Sequence, residues 1–180
     1  MSKNSVSEIA INRMTLSAWT VKSLVFQFLL TAAAVVLPSV AHLAGAPVRL
    51  LLPMHWPVIL AAVVYGWRGG ALVGAVSPIA SYAISGYPLP MILPSMIAEL
   101  FTYGLVIGLL RERLRLNSYL SVAIGLLTGR IVFIITAIVT GGAIINSTYL
   151  TAAMLPGLAA AICQLALLPF VAQWWVSKSK

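Results

Sequence analysis

Leu52-Pro53-Met54-His55-Trp56-Pro57 leads into the apolar run Val58-Ile59-Leu60-Ala61-Ala62-Val63-Val64-Tyr65, which ends at Gly66-Trp67-Arg68-Gly69-Gly70. Residues 57–67 are eleven in number. At ~1.5 Å per residue such a helix reaches ~16 Å, about half of a ~30 Å hydrocarbon core. The segment is apolar enough to lie in a membrane and too short to cross one. It either borrows length from residues 50–55 or stops inside the protein at a cavity. Two prolines bracket His55 and Trp56 and restrict the backbone there. Pro57 falls where a helix tolerates proline best, at a first helical position.

The flanking chain calls for the same solvent. Of 180 residues, 61% are hydrophobic and 8% charged, with a mean hydropathy of +1.04; a soluble domain carries about 25% charged residues. The apolar runs are continuous rather than alternating, which selects helices over a closed barrel as the way to satisfy the backbone in lipid. Six spans are predicted, at residues 22–43, 57–67, 71–85, 91–110, 119–139 and 149–176. Residues 44–56 read as a loop or short re-entrant segment over one mouth of the bundle. Gly86-Tyr87-Pro88-Leu89-Pro90 reads as a turn. The expected fold is an all-α membrane protein, a six-transmembrane-helix bundle over residues 22–176. It is preceded by a tail or interfacial helix at residues 1–21 and followed by a short tail at 177–180.

The net charge of +8 is explained by topology rather than by nucleic acid. With six spans, Lys3, Arg13, Lys22, Arg68, Arg111, Arg113, Arg115, Lys178 and Lys180 all fall on one side, against Arg49 on the other. Cationic loops stay in the cytoplasm, so both termini are expected to be cytoplasmic in a multi-pass protein of a bacterial or archaeal cell membrane. The first apolar run lacks a small-x-small cleavage site, so a cleaved signal peptide is not expected. The single Cys163 can form no internal disulfide.

Three acids occur in the whole chain, Glu8, Glu99 and Glu112, and only Glu99 lies within a span. Arg130 is the one cation within a span. Each sits nine or ten residues from the outer end of its predicted span, a depth of ~13–16 Å, so the two can pair if those spans face each other. Ionisable groups at such depth are functional candidates by default; a buried ion pair that fixes packing is the plainer reading. His55 is a candidate site residue on its restricted backbone, and Trp56 reads as an interfacial anchor or a ligand contact. Gln164, deep in the last span, reads as an interhelical hydrogen-bonding group. Gly70-x-x-x-Gly74, Gly104-x-x-x-Gly108 and Gly125-x-x-x-Gly129 permit close helix contact.

Enzyme chemistry is poorly provided for. No Walker loop is present, no Gly-x-Ser-x-Gly occurs, and carboxylates are too few for paired acid–base work. His42 is the only other histidine, so no metal or other cofactor is expected. Transport or scaffolding remains.

The run Pro53-Met54-His55-Trp56-Pro57, then Tyr65-Gly66-Trp67-Arg68-Gly69-Gly70, Ser77-Pro78, Gly86-Tyr87-Pro88-Leu89-Pro90 and Glu99-Leu100-Phe101-Thr102-Tyr103-Gly104 resembles the substrate-binding S components of energy-coupling factor (ECF) transporters. The resemblance implies a six-helix bundle that captures a small water-soluble vitamin or precursor from outside. It implies docking on a shared membrane coupling subunit with two ATPases, and toppling in the bilayer to release the solute inside. It nominates His55, Trp56, Tyr82, Tyr87, Glu99 and Asn146 as cavity residues, to which the residue-level reading adds Arg130. Many members carry an Ala-x-x-x-Ala docking motif in the first span; here Ala32, Ala33 and Ala34 are contiguous instead. A ligand-free scaffold and a solitary transporter working without the ATPases are the rival readings.

Overall fold

The computed structural model describes residues 14–140 and 147–178, and at Arg49 and residues 147–155 the backbone alone. The described chain is helical throughout its ordered elements: α1 (Val21–Leu43), α2 (Val48–Leu51), α3 (His55–Ser85), α4 (Leu93–Glu112), α5 (Ser118–Val139) and α6 (Ser147–Lys178). Five of these helices contain stretches long and apolar enough to cross a membrane, so the chain is a multi-pass membrane protein. The expected tail or interfacial helix at residues 1–21 falls outside the described residues up to position 13. Residues 14–20 form bends and turns rather than helix.

Helix starts follow local chemistry. The Thr20 hydroxyl accepts the Ser23 amide at 3.2 Å and begins α1, and the Asn117 side chain accepts the Leu120 amide at 2.7 Å and begins α5. Both are N-caps, which satisfy donors that the first helical turn leaves free. The predicted loop at 44–56 carries the four-residue α2, closed by Leu52 in the left-handed region at φ 43°. α3 then begins at His55, two residues earlier than the proline position suggested. Pro57 still falls in the first turn, where its missing N–H is not needed.

The predicted second and third spans lie in one helical run, α3, but it is not straight. Gly66 has φ 72° and ψ −167°, outside the helical region, and divides the run into residues 55–65 and 67–85. A Cβ placed on Gly70 would stand 2.6 Å from the Cβ of Ala62. In a straight helix residues eight apart are ~12 Å apart, so the chain folds back at Gly66 and the two segments lie against each other. Only glycine adopts that backbone geometry cheaply.

This hairpin is the axis of the bundle. Val58, Ile59, Ala61, Ala62, Val63 and Val64 are wholly buried. In its most apolar stretch 72% of the residues of α3 are buried, against 17% in that of α1, which turns Phe28, Leu29, Val36 and Val40 outward. An exposed apolar helix face is what lipid requires. α4 packs most extensively on α3, α5 packs on α4, and α1 packs on α3 from the other side. The glycines make the first two contacts possible. A Cβ on Gly104 would collide with the Gly70 carbonyl, one on Gly74 with the Leu100 carbonyl, and one on Gly129 with the Tyr103 ring.

The described ends of the bundle differ in charge. Lys22, Arg68, Arg111, Arg113, Arg115 and Lys178 lie at or beside the helix ends that gather around the Gly66 turn. There Arg68 Nη1 meets Glu112 Oε1 at 3.2 Å, so Glu112 ends α4 in an ion pair. Arg111 donates to the Met14 carbonyl at 3.0 Å, and the Leu16 amide donates to Val64 O at 2.7 Å. These bonds strap residues 14–18 across this basic end.

Candidate functional site

Glu99 lies in the second turn of α4, on the face turned to α3 and α5. It stands six positions after Leu93, about 9 Å along the axis, so the site lies nearer the end opposite the basic one. Its carboxylate is 2% exposed. The Tyr103 hydroxyl, one helical turn on, donates to Glu99 Oε1 at 2.7 Å. Arg130 Nη1 from α5 reaches the same oxygen at 3.2 Å. The spans that had to face each other do so.

His55 enters from the first residue of α3. Its Nε2 stands 3.6 Å from Glu99 Oε2, beyond hydrogen-bond reach, and its ring lies 5.6 Å from that of Tyr103. Leu52 places it there: the left-handed residue turns the chain, and the His55 amide donates to the Leu52 carbonyl at 3.0 Å. A non-glycine residue in that region costs about 1–2 kcal/mol, and such strain tends to gather at functional sites. His55 is 2% exposed, so it is an interior residue and not the surface lid at the mouth that its neighbourhood of prolines suggested.

The cluster is only partly self-satisfied. Both ring nitrogens of His55 and the Ser95 hydroxyl are buried without a hydrogen-bond partner among the described residues, and elsewhere on α6 so are both amide atoms of Gln164. Ser95 is 1% exposed and lies one turn before Glu99 on the same face of α4. Buried polar groups are nearly always paired, and an unpaired one costs about 1–3 kcal/mol. The expected interhelical bond from Gln164 is therefore not made within the described chain.

Arg130 is less deeply buried than Glu99. Its side chain is 22% exposed against 2% for the carboxylate. Its guanidinium lies 5.7 Å from the Phe133 ring and approaches α6, where a Cβ on Gly157 would stand 2.8 Å from Nη2. Gly157 thus leaves the space that the guanidinium occupies.

The other nominated residues stand apart from this cluster. Trp56 is half-buried against the core, and its Nε1 donates to the Leu51 carbonyl at 2.8 Å. Tyr82 is 38% exposed, and Tyr87 is 58% exposed with its ring 6.0 Å from His42. Neither tyrosine bonds to the cluster among the described residues. Asn146 lies outside the described residues.

Tyr103, Leu52 and Gly157 were missed by sequence reasoning. Glu99-x-x-x-Tyr103 is an i, i+4 pair that shares a helix face, so the Tyr103 contact had a readable signal. The role of Gly157 arises from tertiary approach and that of Leu52 from a left-handed backbone that its residue type does not announce, so neither had one. Among the described residues no group of histidine, cysteine and carboxylate side chains is arranged to hold a metal.

Residues 22–174 match the family described as ECF transporter, substrate-specific component. Comparison with curated proteins and with solved structures gives no match.

Proposed function

The chain belongs to the substrate-specific components of ECF transporters, and from that premise we propose that it captures a small water-soluble vitamin or vitamin precursor for import. The observation that carries the reading is the set of buried, unpartnered polar groups beside the Glu99–Arg130 pair. An ion pair that only fixed packing would account for Glu99, Tyr103 and Arg130. It would leave His55 and Ser95 without a reason to be polar. A hydrogen-bonding solute supplies their partners.

In this reading the basic end faces the cytoplasm, as the asymmetry of positive charge favours. The two segments of α3 count as separate passes, giving six, with residues 55–65 a half-helix that starts inside the protein at His55 and runs to the Gly66 turn at the basic end. Both termini are then cytoplasmic, and the His55–Glu99–Arg130 cluster opens to the outer side of a bacterial or archaeal cell membrane. Trp56, Tyr82 and Tyr87 belong to the outer rim rather than to the floor, and Asn146 remains a nominated cavity residue. Release inward falls to an ECF coupling subunit and two ATPases, since the chain has no nucleotide-binding loop of its own. Ala34 is wholly buried, while Ala32 and Ala33 are half-buried, so the alanines offer no open i, i+4 docking pair.

Thermal unfolding of the detergent-purified full chain against a vitamin panel tests this reading. A ligand present at about 100 times its Kd stabilises the folded state by about 2.7 kcal/mol, a shift readily measured. One panel member raising Tm at sub-micromolar affinity is the expected result. An unmoved Tm across the panel would sink it.

A further inference from the structure

The cluster offers a solute a cation and withholds its anion. Glu99 Oε1 is engaged by Tyr103 and Arg130, Oε2 faces the His55 ring, and the carboxylate is 2% exposed. Arg130 contributes one ion-pair contact from a guanidinium with five N–H donors, and it is the less buried member of the pair. Ser95 and His55 supply further donors in the same interior. Resting on the capture reading, we infer that the solute carries a carboxylate which docks on Arg130, the residue that sets charge specificity. A cationic solute would meet the guanidinium before it met Glu99. A phosphate dianion would bring two charges against a single arginine already shared with Glu99, and unpaired charge is costly at low dielectric. His55, which faces Glu99 and Tyr103 and has neither ring nitrogen hydrogen-bonded among the described residues, adds a hydrogen bond to the bound carboxylate.

The detergent-purified full chain is incubated with a soluble bacterial metabolite extract, and the solute it retains is identified by mass spectrometry in both polarities. Affinities are then measured for that solute and for its primary amide. The expected result is a carboxylic acid whose amide binds at least roughly tenfold more weakly, because a charge-assisted contact is lost. Arg130→Gln removes this preference and His55→Gln reduces it. Gly157→Ala, which keeps the charge and displaces only the flexible end of Arg130, weakens the acid more than the amide. A retained solute without a carboxylate, or an Arg130→Gln protein that still prefers the acid, overturns the inference and leaves capture standing. If no solute is retained, capture itself fails and this inference falls with it.

Discussion

At the residue scale, the site depends on which member of each pair has an alternative partner. Glu99 has none beyond its cluster, so changes there leave a buried charge exposed to low dielectric. Removing one partner of a buried ion pair typically costs about 3–5 kcal/mol, and Glu99→Gln retains the Tyr103 hydrogen bond to moderate that loss. Glu99→Gln is expected to lower solute affinity by a larger factor than it lowers the purified yield. Equal losses of both would assign the pair to packing alone. Tyr103→Phe removes one hydrogen bond while keeping the ring against Gly129. Its expected effect is a loss of about 1 kcal/mol in stability, read by thermal or denaturant unfolding in detergent.

At the element scale, the hairpin in α3 is held by backbone approach, where side chains cannot give way. The Gly70, Gly74 and Gly104 contacts are against carbonyls and main-chain atoms, unlike the Gly157 contact with a flexible arginine. Gly104→Val is therefore expected to separate α3 from α4 and to abolish the monodisperse peak in size-exclusion chromatography, whereas Gly157→Ala keeps it. Gly66→Ala places a side chain at φ 72° and beside Glu112, at a cost of about 1–3 kcal/mol for the backbone alone. The break itself was readable, since a run of eleven residues before Gly66-Trp67-Arg68-Gly69-Gly70 cannot cross a membrane. What the sequence did not display was the consequence: the shortest segment became the most buried one. Burial of residues 55–65 follows from the fold-back at Gly66 that sets Gly70 against Ala62, and no single helix period reveals that. His55 illustrates the same gap, as its prolines suggested an outer lid and its two-sided packing makes it interior. Glu99 and Arg130 were legible because ionisable side chains are so scarce in this chain, and Arg68–Glu112 was not because that end has many arginines to choose from.

At the scale of the whole molecule, charge segregation gives the orientation a test. In a Cys163→Ser background, a cysteine at Ser85 is expected to react with a membrane-impermeant maleimide applied to intact cells or spheroplasts. A cysteine at Ser177 is expected to react only after permeabilisation, and the reverse pattern would invert the bundle. The most direct measurement for the account as a whole is native mass spectrometry of the detergent-purified full chain after incubation with a vitamin mixture. A single solute retained by the wild-type protein, and lost in a His55→Ala protein of unchanged helical content, is the expected result. A wild-type protein that emerges without an adduct, or a variant that retains it undiminished, would contradict the claim that this cluster holds the cargo.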